Sequence, residues 1–381
     1  MRKVAVVFGG RSCESEISVL TGVLALNVLD RERYQPFPIY IHTDGCMYTS
    51  PRMMSVDAFQ EKDRGKFQRI FINGHTVYAL NEKKGRIKPL LNLDVMLNCC
   101  HGGLGEGGGV SALAEWCDIP LASPDLASSA IFMDKYLTKL VMRGLDIPTV
   151  EYIRVKEADY QKRGAFLLKR IAGKLKYPVI IKPARLGSSI GVAVAHTEDE
   201  ARSAIAAAFQ LDGQILIERY LKGKQDVNCA AYTVNGEIVV SEPEAAFGDG
   251  VYSFEEKYLK RNSDGICGKG DNRLFSQNAR GRVALKEEIR DKIRAYTRTV
   301  YKRMNLQGAV RMDYLVSEGM EYLCEVNTVP GSLAYYLFCE RISDARALLR
   351  DLIEEAVRSS KASGKEIVST GILNSVSPLK K

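Results

Sequence analysis

The chain has 381 residues, 26% charged and 46% hydrophobic, which excludes a disordered or low-complexity polymer and implies two or three domains rather than one core. Lys and Arg exceed Asp and Glu by 54 to 46, and the resulting net charge of +8 is scattered; with no basic–aromatic block it argues against a nucleic-acid partner and suits a basic site for a small anion. No apolar run approaches the roughly 18 residues of a membrane span, MRKVAVVFGG is too short in its apolar part for a signal peptide, and nine cysteines without a CxxC pair fit reduced thiols in a cytoplasmic protein.

Lys3–Phe8 reads as a buried strand ending in Gly9-Gly10, and Ile17, Leu20, Val23, Leu24 and Val28 recur at helical spacing between Glu14 and about Asp30. Phe37–Ile41 is a second strand, residues 42–90 hold hairpin-like pieces at 67–72 and 76–80, and Asp94–Cys100 is another buried strand. It runs into the glycine-rich stretch His101–Gly109 and a helix at Ser111–Trp116. Strand, glycine loop and helix form the grammar of an open parallel sheet, which binds ligands at the carboxyl ends of its strands. Near Ser123 the grammar changes. A helix over 126–143 contains Lys135, strands Val179–Lys182 and Val192–Ala195 flank a glycine–serine loop, and a helix over 198–209 precedes strand Ile215–Glu218. Beyond Leu221 come strands at 227–234 and 237–241, a polar loop over 247–273, a helix at 285–304 and two last strands, Ala309–Val316 and Glu321–Asn327. The expected domains are 1–123, an open parallel α/β unit; 124–220, a compact central unit; and 221–381, a mixed-sheet unit with a short tail.

The last two strands carry the strongest local signal. Side chains alternate faces along a strand, so Arg311 and Asp313 share one face, as do Glu325 and Asn327, while Tyr322, Cys324 and Val326 fall on the other. A three-residue link, Ser317-Glu318-Gly319, would set Val316 opposite Met320 and Arg311 opposite Glu325. Two carboxylates, an amide and an arginine on one face are costly if buried and idle, and such hard oxygen donors suit Mg²⁺ with substrate phosphates. The tight loop after Asn327 would let a ligand approach the Gly331 backbone closely. A second signal is Lys182-Pro-Ala-Arg-Leu-Gly-Ser-Ser-Ile-Gly191, whose N–H groups and hydroxyls can close over phosphate oxygens. No Gly-Lys pair is followed by Ser or Thr, which excludes a Walker A loop. Gly103-x-Gly105-x-x-Gly108, with Asp125 further on, matches a dinucleotide fingerprint but sits at the last strand of its unit rather than the first. Glu14 lies in the first turn after Gly9-Gly10, as a helix-start acid or a carboxylate able to hold an ammonium.

The blocks FGGRSCESEIS, CCHGGLGEGGG, SPDLASSAIFMDKYLTK, VIIKPARLGSSIGV, LIERYL, VYSFEEKYL, GAVRMDYLV and YLCEVNTVPGS occur in this order from Val4 to about Leu337, and the chain resembles the D-alanine–D-alanine ligases of the ATP-grasp superfamily. That resemblance implies an ATP-grasp fold with the central unit as a lid, ATP and Mg²⁺ (or Mn²⁺) as cofactors, D-alanine as small-molecule substrate and a homodimer. It implies phosphate contacts for Lys135, Lys182 and Lys257, a loop-closing role for Ser189, the adenine region for Glu218, and the ribose hydroxyls for Asp226, where the family usually has a glutamate. Asp313, Glu325 and Asn327 would hold the metal, and Arg311 with the Gly331 N–H would stabilise the oxyanion. Glu14 would hold the first amino acid's ammonium, Glu14, Ser188 and Tyr258 would form a linking set, and His101 would lie near the first substrate's carboxylate. Departures from the family's pattern are Leu186 for an acid, Gly107 for an aspartate, Val251 for an aromatic, and Tyr336 for a serine facing the second substrate. The implied activity is ATP-dependent joining of two D-alanines for peptidoglycan precursors; the alternatives are a different amino-acid or hydroxy-acid pair (D-Ala–D-Ser, D-Ala–D-lactate) and a nucleotide-binding homologue without turnover.

Overall fold

The computed structural model describes residues 1–60, 67–245 and 285–363. The first sheet combines β1 (Arg2–Gly9), β2 (Tyr34–Ile41), β3 (Met47–Thr49), β4 (Gln68–Asn73), β5 (Thr76–Asn81), β6 (Arg86–Asn92) and β7 (Val95–Asn98) in the order β6-β5-β4-β3-β2-β1-β7. Its parallel part is β2-β1-β7, and the less regular stretch 42–90 supplies the antiparallel extension β3 to β6. The run VAVVF in β1 is buried on both faces, as a central parallel strand requires. Val4, Val6 and Phe8 pack with α1 (Ser15–Val28), while Ala5 and Val7 pack on the side of α2 (Val110–Trp116).

The expected single helix over 126–143 is two, α3 (Leu126–Met133) and α4 (Lys135–Gly144). Asp134 breaks it by taking an extended backbone and accepting the Tyr136 and Leu137 N–H groups at 2.8 and 3.2 Å, an N-cap that places Lys135 at the first helical position. Phe132, Met142 and Ile147 join the core of the third sheet rather than that of the central one. The central sheet is antiparallel, β10-β9-β11-β8, from β8 (Tyr152–Lys156), β9 (Val179–Pro183), β10 (Ala193–Ala195) and β11 (Gln214–Arg219). Ile153, Ile181 and Ile217 on one face pack against α5 (Glu157–Lys174) and α6 (Glu198–Phe209), so alternation turns Lys182 and Glu218 to the opposite face.

The third sheet runs β13-β12-β15-β16, from β12 (Gln225–Val234), β13 (Glu237–Val240), β15 (Val310–Ser317) and β16 (Met320–Asn327), with β14 (Glu244–Ala245) paired to β12. α7 (Glu287–Arg303) covers its apolar face through Ile289, Ile293 and Val300. After β16 a helical segment, Gly331–Leu337, and α8 (Ala345–Ser363) return to the first domain, where Leu333, Leu348, Leu352 and Ile353 share a core with Val6 and Phe8. An Arg2–Glu354 ion pair and a 2.6 Å hydrogen bond from the Tyr34 hydroxyl to Glu354 fasten this return. The loop carrying Gly331 is thereby anchored to two domains. No described helix is long and apolar enough to cross a membrane.

Candidate active site

The β15–β16 turn is shorter than expected. Glu318 and Gly319 both have positive φ, 52° and 76°, and Ser317 pairs with Met320. Such a two-residue turn matches the twist of the flanking strands. The register then shifts: Tyr314 pairs with Leu323, but Asp313 pairs with Glu325 and Arg311 with Asn327, leaving Cys324 as a bulge. The expected Arg311–Glu325 pairing is therefore corrected, while the shared face of the four polar groups holds. The bulge also brings Cys324 to the side of Glu325, where its sulfur lies 3.8 Å from Lys182 Nζ. Tyr322 and Cys324 pack with Val150, Leu221 and Leu315, whereas Val326 belongs to the core beneath the sheet, so these three residues do not share the face that alternation predicted.

Four basic residues converge on this face. The Arg311 guanidinium donates from Nε and Nη2 to the two Asp313 oxygens at 2.7 and 2.9 Å, and from Nη1 to the Tyr336 hydroxyl at 3.0 Å. Asn327 Nδ2 donates to Asp313 Oδ2 at 3.1 Å. Lys135 donates to the Leu186 carbonyl at 2.6 Å and lies 3.2 Å from Glu325. The Leu186 backbone thus does the local work, and the absence of an acid there leaves Lys135 held. Glu218, expected at the adenine region, is 2% exposed and clamped between Lys182 at 2.6 Å and Lys139 at 2.9 Å. Burial opposes the charge of this carboxylate, but the two lysines outweigh it and hold it below the usual carboxylate range. Burial likewise opposes the charges of Lys182 and Arg311; Cys324 and Glu218 push Lys182 up, and Asp313 and Tyr336 push Arg311 up. Asp226, near the start of β12, is paired with Lys224.

The first domain faces this cluster with two acids. Ser188 Oγ donates to Glu14 Oε1, joining the glycine loop of the central unit to the start of α1. Ser188 and Ser189 both have left-handed backbone, φ 51° and 59°. A Cβ at Gly187 or at Gly102 would stand 2.5 Å from a Glu14 oxygen, and the φ of Gly102, 64°, is one that glycine adopts without strain. Glu106 accepts the Gly102 N–H at 2.7 Å and the Val329 N–H at 3.3 Å, bridging the two domains. Burial, and then the charge of Glu14, push its carboxyl up to about 7. A Cβ at Gly107 would come within 3.2 Å of the Met133 side chain. A cavity of about 340 Å³ opens beside Glu14, lined by Gly103, Met133, Arg185, Gly187 and Ile190.

His101 is a strut in this structure. Its Nδ1 meets the Val329 carbonyl at 2.7 Å and its Nε2 meets Thr21 Oγ1 at 2.7 Å, while Thr21 accepts the Ser332 N–H at 3.0 Å. Both ring nitrogens are engaged by protein, so the imidazole links the first domain to the Gly331 loop. Burial pushes the imidazole down to about 4. At Gly331 an added Cβ would meet nothing within 4 Å, so the backbone there faces open space. Lys257, Tyr258, Val251 and the polar loop around them lie outside the described residues. Two residues not singled out by the sequence belong to the site: Glu106, the one charged side chain in the glycine stretch, and Lys139, one helical turn beyond Lys135.

The dinucleotide fingerprint finds no use here. Asp125, its candidate ribose partner, caps α3 by accepting the Ser128 N–H at 2.7 Å, and the Gly102 N–H is taken by Glu106. Among the described residues no cluster of three or more His, Cys, Asp and Glu could enclose a metal. Asp313, Glu325 and the Asn327 amide share one face and are hard oxygen donors of the kind that could hold Mg²⁺ were substrate phosphates to complete its shell; Arg311 and Lys135 balance the two carboxylates.

Profiles described as D-ala D-ala ligase N-terminus and D-ala D-ala ligase C-terminus match residues 3–124 and 141–358. The D-alanine–D-alanine ligase of Caldicellulosiruptor bescii is 31% identical over 342 residues, 86% of each chain, and that of Nitratiruptor sp. is 30% identical over 384 residues, 99% of each. The crystal structure of D-alanine–D-alanine ligase from Helicobacter pylori superposes with a TM-score of 0.73 at 25% identity, covering 96% of this chain and 100% of that one. Two profiles in chain order, together with relatives matched over 86% and 99% of the chain, place this chain in the D-alanine–D-alanine ligase family, with its ATP-grasp fold.

Proposed function

We propose that this protein is an ATP-dependent D-alanine–D-alanine ligase that works through an acyl phosphate and supplies peptidoglycan precursors. The observation that carries this reading is the convergence of three domains on one cleft: Glu14 from the first, the Ser188 loop and Lys182 from the second, and the Arg311–Asn327 face from the third. A carboxylate is a poor acyl donor because oxide is a poor leaving group. Transfer of the ATP γ-phosphate to it creates a good one, and the second amino acid's amine then attacks the acyl carbon. Lys135, Lys182 and Lys257 bind the phosphates, and Ser189 closes the loop over them. Glu218 and Asp226 border the nucleoside. Asp313, Glu325 and Asn327 hold Mg²⁺ or Mn²⁺, which when bound neutralises phosphate charge. Glu14 holds the first ammonium, and Ser188 with Tyr258 ties the loops over it. Arg311 and the Gly331 N–H stabilise the oxyanion, an effect typically worth about 100- to 1000-fold per donor. His101 acts through Val329 and Thr21, fixing the Gly331 loop.

Tyr336 supports a second reading, ligation of D-alanine to a different acceptor such as D-serine or D-lactate, because a phenol on Arg311 replaces a smaller hydroxyl. We extend the main reading to a cytoplasmic homodimer; the eight described cysteines are all free thiols, in keeping with a reducing compartment. The test is incubation with ATP, Mg²⁺ and a panel of D- and L-amino acids and D-lactate, followed by phosphate release and product mass. D-alanyl-D-alanine is the expected product. Phosphate release that stays flat with D-alanine and rises with another pair transfers the assignment to that pair.

A further inference from the structure

Lys139 is a buried cation to which the proposed reaction gives no task. It lies on α4 at the i+4 position from Lys135, so one helix face presents both lysines, the first toward Glu325 and the second deeper. Its side chain is 1% exposed. Nζ donates to the Val150 carbonyl at 3.0 Å, sits 2.9 Å from Glu218 Oε1 and stands 5.0 Å from the centre of the Tyr152 ring. The Val150 contact is a hydrogen bond and the Glu218 Oε1 contact an ion pair without hydrogen-bond alignment; buried between them, Lys139 does not itself reach a ligand. The other Glu218 oxygen is 2.6 Å from Lys182 Nζ. Two ammonium groups around one carboxylate leave the cluster with a single net positive charge. Remove Lys139, and Glu218 cancels Lys182. A cancelled lysine in a low-dielectric pocket offers a triphosphate little attraction. Packing alone does not require this cation: desolvating an ammonium is costly, and an apolar side chain would fill the slot at lower cost.

We infer that Lys139 is a positioning residue for the nucleotide: it holds the Glu218 carboxylate from behind, sharing its charge, so that Lys182 can turn its own charge to the phosphates. This rests on the reading of Lys182 as a phosphate contact. A residue acting through charge alone must be rescued by removing the charge it balances, whereas one acting through packing cannot be.

The experiment measures dissociation constants of a non-hydrolysable ATP analogue and of adenosine, with Mg²⁺, on the full chain. Lys139→Met should weaken the analogue roughly ten- to a hundredfold and leave adenosine unchanged, as expected for loss of a charged partner. Lys139→Met/Glu218→Gln, which restores the single net charge, should recover the native ratio of analogue to adenosine affinity within about threefold, adenosine itself reporting any loss of the Glu218 contact to the nucleoside. Parallel weakening of adenosine in Lys139→Met, an unchanged affinity for the analogue, or a double variant whose ratio is as low as that of the single one overturns the inference. If the single variant does not fold, the double variant decides by the same threshold. Lys182→Met separates the two levels. An unaltered affinity there removes the phosphate reading and the inference with it, whereas a weakened Lys182→Met beside an unchanged Lys139→Met removes the inference alone.

Discussion

On the hairpin side of the cleft each carboxylate has a cation: Asp313 has Arg311, Glu325 has Lys135, and Glu218 has Lys139 and Lys182. On the glycine-loop side Glu14 and Glu106 are held by a serine hydroxyl and backbone N–H groups, and among the described residues no cation stands at ion-pair distance from either. The contrast shows what each side lacks. The first is balanced within the protein; under the proposed function its lysines would turn to phosphate and its carboxylates to the metal, with little change in local charge. The second holds its two acids without an ion pair, although Arg11 and Arg185 line the cavity beside Glu14, and under the proposed function an amino acid's ammonium would become their partner. Both sides are locked to the same Gly331 loop, through Arg311–Tyr336 on one and His101–Val329 on the other.

The strongest way to break this contrast is to unbalance the hairpin side. Glu325→Gln should lower turnover about 100- to 1000-fold, measured as Mg²⁺-dependent phosphate release, because it removes a carboxylate at the reacting phosphate. The side chain is partly exposed, so melting should change little; unchanged activity would refute the metal assignment. Glu14→Gln should act on the other side alone. It should raise KM for the first amino acid roughly ten- to a hundredfold, the scale of a charge-assisted hydrogen bond, with ATP affinity unchanged. Equal losses for both substrates would erase the distinction between the two sides.

How much of this was legible in the sequence follows from the range of each determinant. The shared face of Arg311, Asp313, Glu325 and Asn327 depends on local alternation and was readable. Their pairing depends on turn length and on the Cys324 bulge, which tertiary packing sets, so the register came out wrong. β8 and α5 carry little sequence signal because EYIRVKEADYQKRGAFLLKR is rich in polar residues and α5 buries few side chains, Leu167, Leu168 and Ile171. The helix break at Asp134 had a local sign, an acid before Lys135, that the continuous apolar spacing hid. Glu106 and Lys139 had no sign beyond their charge, since the partners that tie them to other parts of the site, Val329 and Glu218, lie over 200 and about 80 positions away in the chain.

A smaller effect should come from Tyr336. Its hydroxyl is one of the groups that orient Arg311, and the ring is buried against the first domain's core. Tyr336→Ser removes that contact and opens volume where the second substrate is proposed to sit. It should change KM for the acceptor about tenfold, in line with one hydrogen bond and lost packing, while KM for ATP stays within about twofold. Equal shifts in both constants would refute the acceptor-pocket assignment.

The subtlest difference between the two sides is in their response to pH. Glu106 titrates at about 7 because burial and Glu14 oppose its charge. A carboxyl raised above its usual 4.5 contributes stability that is complete below 4.5 and is lost as pH rises through 7. The same ionisation adds a second negative charge near the ammonium site, so the ligand-free protein should soften over the interval in which amino-acid binding tightens. Across pH 6 to 8 the KM for the first amino acid should fall about threefold through Glu106, the size of a partly screened interaction between neighbouring charges. Glu106→Gln should flatten that profile and also the melting temperature between pH 6.5 and 7.5. His101 makes no competing contribution in that window: its folded value near 4 keeps it neutral, and its destabilisation begins only below about 6.5, where the unfolded chain takes up the proton. A Glu106→Gln profile that still bends at pH 7 would move the titration to another group and leave Glu14 alone as the acid that receives the ammonium.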